Sequence, residues 1–282
     1  MKQKRSNNKK HGQAYEVWRR YKKSRTAMLG LILLILVVAI AIFADVICPY
    51  DLAITQNISE RFQSPNMQHF FGTDEMGRDV FARVVHGSRY SLFIGVATSV
   101  LSLILGGLLG AIAAYYGKMV DNIIMRLTDV VMTVPPILLS LAVVAALGAS
   151  MRNLMIAITI SCIPSMVRMV RSVVISLVDN EYVEAAKSYG ASDLRIILKY
   201  ILPNALGPII VTMTMNVAGM ILSAAGLSFL GMGVQPPSPE WGALLSDAEQ
   251  YMFTAPWLLY FPGIFHSPEF FLVQIIFCYF RF

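Results

Sequence analysis

Apolar residues in this chain come in long unbroken runs rather than in alternating or helical stripes. Ala27 to Ala44 is an apolar run of 18 residues. No charge falls among the 28 residues between Arg89 and Lys118, the 22 between Asp129 and Arg152, or the 40 between Lys199 and Glu240. A helix needs about 20 apolar residues to cross roughly 30 Å of hydrocarbon. In lipid only helices and closed barrels satisfy the backbone, and barrel strands alternate polar and apolar positions, which these runs do not. The pattern predicts an all-α, polytopic membrane protein with spans near 27–47, 89–116, 127–148, 153–175, 206–230 and 256–280. The fourth is the weakest by hydropathy, because Asn153 to Val167 is uncharged over only 15 residues. It has to extend past Arg168 and Arg171, with a re-entrant helix as the other reading. Pro164 is expected to kink it, and Pro135 and Pro136 to break the third span.

Composition agrees. Of the 282 residues, 56% are hydrophobic and 14% charged, against about 25% charged in soluble domains. This excludes a disordered chain. The net charge of +6 does not point to nucleic acid, because ten of the 23 basic residues precede residue 26. That placement puts residues 1–26 in the cytoplasm by the positive-inside rule. The apolar run after it exceeds a signal peptide's core, so it reads as a retained anchor. Residues 27–88 then make the first span and an outer segment with three Arg and six acids. Residues 89–264 form the core; its loop 176–205 carries Lys187, Arg195 and Lys199, with Arg168 and Arg171 just before it, and is therefore cytoplasmic.

That loop reads DNEYVEAAKSYGASDLRIILKYILPN from Asp179 to Asn204. Asn180 can cap a short helix, with Glu181 and Glu184 in the first turn and Gly190 at its end. Tyr182, Ala185, Ala186 and Tyr189 share one face. Such a face suits a groove on another protein or the membrane surface, and spacing alone leaves both open. A second helix is expected from Ser192, with Leu194, Ile197, Leu198 and Ile201 as its apolar face and Pro203 as its limit.

These residues carry a resemblance. Glu184-Ala185-Ala186, Gly190 and Leu202-Pro203 resemble the EAA motif of ABC-importer permease subunits, with Tyr200 where the family usually has an apolar residue. FGTDEMGRDVFARVVHGSRYSL from Phe71 to Leu92 resembles the C-type permeases of oligopeptide, dipeptide and nickel importers, as do the stretches Asp121–Pro136 and Leu227–Gly242. The resemblance covers most of residues 16–263. It implies a six-helix type I permease in a prokaryotic cytoplasmic membrane, with Tyr182, Glu184, Ala185, Ala186, Tyr189, Gly190, Leu202 and Pro203 coupling it to ATPase subunits. It also implies a second homologous permease, two cytoplasmic ATPases, an extracellular binding protein and a peptide cargo, nickel or another small solute being the alternative. ATP would be bound by the partners; the chain has no Walker A pattern and needs no cofactor of its own.

The remaining signals are weaker. Gly106 and Gly110 make a GxxxG contact face, inside the subunit or against a partner. The GTDEMGRD stretch reads as a structural cap on the outer face, and Arg126 with Asp129 as a local salt bridge. Four scattered histidines make no metal spacing. Gly226-x-Ser228 with His266 only weakly suggests an intramembrane protease. A secondary transporter would place ionisable relays in mid-span, which the spans lack apart from Glu269. The family pattern stops at Phe265, and residues 265–282 are atypical. We read a frameshift near codon 265; a real variant with a broken last helix is the other reading.

Overall fold

The computed structural model describes residues 25–265. Among these, regular structure is helical, with one isolated bridge between Thr73 and Asp79. Helix α1 is Arg25–Ile42, followed by two short turns, α2 (Ala44–Ile47) and α3 (Asp51–Ile54). The bundle comprises α4 (Val80–Tyr116), α5 (Lys118–Met132), α6 (Pro136–Leu147) and α7 (Met151–Val178). Next come α8 (Glu181–Ser188), α9 (Asp193–Ile196), a π turn (Ile197–Ile201), α10 (Leu202–Phe229) and α11 (Trp241–Glu249). Residues 257–265 open a last helix. Its continuation, and with it the sixth span and the atypical segment, lies outside the described residues. Three described helices are long and apolar enough to cross a membrane, and a fourth crossing results if α5 and α6 count as one. The apolar stretch in α1, Met28–Ile42, is shorter.

Several boundaries differ from expectation for physical reasons. Helix α4 begins nine residues before the predicted second span, at Val80. The Asp79 carboxylate accepts from the Ala82 N–H and caps it. Arg83 and His86 are tolerated in this extra length because each has a polar partner. The third span is broken as the prolines require: α5 and α6 meet at 81°, with Pro135 and Pro136 at the corner. The fourth span is one helix of 28 residues, not a re-entrant turn. Pro164 sits buried within it.

The helix from Asp193 does not stop at Pro203. It runs on through the π turn into α10, 37 residues in all. Pro203 has no N–H to give the carbonyl of Lys199, and the widened turn lies just ahead of it. The change of pitch also changes the buried face. Ile196, Ile197 and Ile201 are buried, whereas Leu194 is 66% and Leu198 48% exposed.

The expected Arg126–Asp129 pair does not form. Arg126 is exposed, and Asp129 instead accepts from Arg168 on α7 at 2.5 Å. One step along, Arg171 grips Asp121 with both Nε and Nη2. Because α5 lies against α7, the cross-helix partner is in reach and the local one is not. Arg168 and Arg171 therefore brace the broken span.

Helices α4, α7 and α10 form the centre. Close approach depends on the small residues of α4. A Cβ at Gly106 would stand 2.6 Å from Met166 Cβ and 2.8 Å from the Ile163 carbonyl. One at Gly110 would stand 2.5 Å from the Val167 carbonyl. Both glycines thus face α7 within the subunit.

Candidate functional site

The two ends of the bundle carry different chemistry. At one end, α8 sits between α7 and α9. Asn180 occupies the N-cap position, but its side chain bonds back to the Leu177 carbonyl rather than forward to the helix. Glu181 and Glu184 lie in the first turn, where the dipole favours acids. Gly190 follows the C-cap with φ +75°, the left-handed geometry that favours glycine. Nothing lies within 4 Å of a Cβ built there, so backbone conformation rather than space selects this residue.

The underside of α8 is Val183, 0% exposed, and Ala186, 7% exposed. Both belong to one apolar cluster with Ala111 of α4, Val170 and Val174 of α7, and Ile196, Ile201 and Ala205 of the next helix. Tyr182 packs against the edge of that cluster. Outside it, Tyr115 at the end of α4 donates to Asp193 at 2.7 Å, and Lys187 stands 5.2 Å from the Tyr115 ring centroid. The short helix is therefore tied to three long ones.

Its outer side is open. Ala185 and Glu184 are exposed, and Tyr189 is 91% exposed. Tyr182, Ala185, Ala186, Tyr189 and Gly190 line one concavity of ≈ 420 Å³, closed on its far side by Arg195 and Tyr200. The predicted face thus gathers in one place. Leu202 and Pro203 do not line the concavity; they start α10 behind it. Val183, which the predicted face omitted, is the residue that anchors the helix. Gly106 and Gly110 stand apart, in the α4–α7 contact.

At the opposite end, the segment 72–79 folds over the start of α4. Asp74 is the hub. Its Oδ1 accepts from the backbone N–H groups of Met76 and Arg78, each at 2.9 Å. Its Oδ2 accepts from Arg78 Nε at 2.6 Å and from Arg83 Nη1. Arg83 is 2% exposed and also lies 3.8 Å from Asp247 of α11. His69 Nδ1 lies 2.7 Å from the other oxygen of the capping Asp79. Helix α11 is fastened by the same logic: Glu240 accepts from the N–H groups of Gly242 and Ala243 at 3.0 Å. Trp241 Nε1 donates to the Val84 carbonyl at 2.9 Å. These contacts cap the start of α4, and within them the buried Arg83 Nε has no hydrogen-bond partner.

Burial raises the Glu75 carboxyl above its usual range, and repulsion from Asp247 and Asp74 adds to this, against Arg78 and a bond from Tyr251. Burial likewise raises Asp247, while Arg83 and Arg78 oppose it. Sequence reasoning missed this network. An Asp and an Arg four apart ahead of a helix start were visible, but not the third partner from α11.

Comparison with known proteins decides the class. The model of the binding-protein-dependent transport system inner membrane component matches residues 106–278, and that of the N-terminal TM domain of oligopeptide transport permease C matches residues 12–65. The chain belongs to this permease family. The first match runs past Phe265, where the sequence pattern was expected to stop.

Among its relatives is the dipeptide transport system permease protein DppC of Alkalihalophilus pseudofirmus, 47% identical over 88% of this chain and 81% of that protein. Another is the glutathione transport system permease protein GsiD of Escherichia coli, 43% identical over 89% and 82%. The fold is shared with a chain of the inward-facing MetNI methionine ABC transporter, at TM-score 0.57 and 17% identity over 71% of this permease and 94% of that chain.

Proposed function

We propose that this permease subunit carries short peptides across the cytoplasmic membrane of a prokaryote, driven by ATP hydrolysed on partner subunits. The observation that carries the reading is α8. Its underside is held in a core shared by α4, α7 and α10, and its outer side is bare. A force applied there reaches three long helices together. A partner can drive such a change only by binding its two states unequally. Two cytoplasmic ATPases whose shape follows nucleotide state meet that requirement. Residues 1–26 and the loop 176–205 then lie in the cytoplasm and the Asp74 cap outside, as the basic residues require. A second, homologous permease completes the channel, and an extracellular binding protein delivers the cargo. The relatives are named for dipeptide and glutathione transport, both short peptides, which supports that cargo class.

The test is uptake by the assembled transporter. Glu184→Lys and Gly190→Asp should each abolish peptide uptake while the subunit still reaches the membrane. Uptake that survives both changes, or that persists without ATP, ends this reading.

A further inference from the structure

The cap leaves one edge of the Arg83 guanidinium unmet. Nη1 donates to Asp74, but Nε is buried and has no hydrogen-bond partner. Leaving a buried donor unmatched is costly. Nε and Nη2 share one edge of the planar guanidinium, and Arg171 uses that same edge to grip Asp121. At Arg83, Nη2 instead lies 3.8 Å from Oδ2 of Asp247 on α11, beyond hydrogen-bond reach. Beside both groups is a cavity of ≈ 20 Å³. Its polar wall is Asp74, Glu75, Arg83 and Asp247, and its apolar wall includes Ala248 and Leu258.

We propose that this cavity is a binding site for one water molecule, which accepts from Arg83 Nε and Nη2 and donates to the Asp247 carboxylate. About 10–15 Å³ is enough for one water, which then needs two to four polar partners; the cavity supplies both. A polar pair held beyond about 3.5 Å is the spacing that a water bridges. The surrounding charges select a neutral occupant. A cation would meet the guanidinium N–H groups, and an anion would meet the carboxyl groups of Asp74, Glu75 and Asp247. The water also has a structural task. Trp241, at the start of α11, is fixed to the Val84 carbonyl of α4. Asp247 lies near the other end of α11, so the water gives that helix a second anchor on α4. Two anchors fix the direction of α11 against α4, where one fixes only its position. The inference concerns the cap alone and stands apart from the transport reading.

The experiment uses the assembled transporter, purified intact. A high-resolution density map should show one peak about 3 Å from Arg83 Nε, from Nη2 and from an Asp247 oxygen. Radiolytic hydroxyl-radical labelling, which modifies side chains beside bound water, should mark Leu258 although it is only 6% exposed. Ala248 is buried and lines the cavity, and it supplies a pair of variants. Ala248→Ser offers a hydroxyl that can join or replace the water, so the thermal midpoint should stay at or above wild type. Ala248→Val displaces the water with methyl groups and strands Nε. The midpoint should fall, and Leu258 labelling should drop several-fold. A dry cavity reverses both signs, because Val would fill a void and Ser would bury an unmatched hydroxyl.

The site is overturned if the map shows Asp247 bonded directly to Nη2 with no peak beside them. It is also overturned if Leu258 is labelled no more than Leu227, which is 0% exposed on α10, or if Ala248→Val raises the midpoint while Ala248→Ser lowers it. Should Ala248→Val fail to fold, the map and the labelling of the unaltered chain decide alone. Failure here leaves the importer reading standing, because uptake tests that reading separately.

Discussion

The two ends of this permease solve opposite problems. The Asp74 end spends its polar groups on itself: one carboxylate meets two arginines and two backbone N–H groups, and a tryptophan N–H reaches across to α4. The α8 end turns Glu184, Tyr189 and Arg195 outward, with Arg195 in no ion pair among the described residues. A structure that satisfies itself resists change, whereas one left incomplete invites a partner. Damage at the two ends should therefore be read out differently. Cap variants lose stability, and α8 variants lose transport.

The largest effect is expected at the cap. Asp74→Ala removes the near partner of buried Arg83 and leaves it only Asp247 at 3.8 Å, a change worth about 3–5 kcal/mol. Little folded subunit should be recovered by gel filtration from detergent. Wild-type recovery would show that the two ends do not differ in this way. Next is the bundle contact. Gly110→Val puts a branched side chain where even a Cβ is 2.5 Å from the Val167 carbonyl. Overpacking of this kind costs about 1–3 kcal/mol and should lower the thermal midpoint.

Trp241→Phe shrinks a fully buried indole to a phenyl ring and loses the hydrogen bond to Val84. A loss of about 1–2 kcal/mol is expected from the lost bond and the gap left behind, with transport per folded subunit unchanged. By contrast, Glu184→Lys should leave the melting curve within about 0.5 kcal/mol of wild type while transport disappears. That pair of results is the sharpest form of the contrast.

The smallest effect is a pH dependence. Glu75 and Asp247 have raised carboxyl values in the folded protein, chiefly through burial. The folded state therefore holds protons that the unfolded state has already released. Stability falls as pH rises from the ordinary carboxylate value through the raised one. Glu75→Gln should flatten that slope and raise the midpoint slightly at neutral pH. A melting curve whose pH slope is unchanged in Glu75→Gln would remove these groups as its source.

Much of this was legible in the residues. Long apolar runs announce membrane helices because lipid offers the backbone no hydrogen bonds. Pro135 and Pro136 announce the broken span because a proline removes a helix bond. Gly190 and the EAA spacing announce a short helix with a left-handed stop. Local chemistry decides each of these, so one stretch of sequence suffices.

What sequence could not supply was pairing at a distance. Nothing local says that Asp129 chooses Arg168 over Arg126, that Arg83 meets Asp74 and Asp247 at once, or that Val183 rather than Tyr189 faces the core. Nor does it say that Pro203 is absorbed by a π turn instead of ending a helix. Those outcomes depend on which helices lie side by side. A partner one helix away can be nearer than one three residues along, and only packing sets that distance.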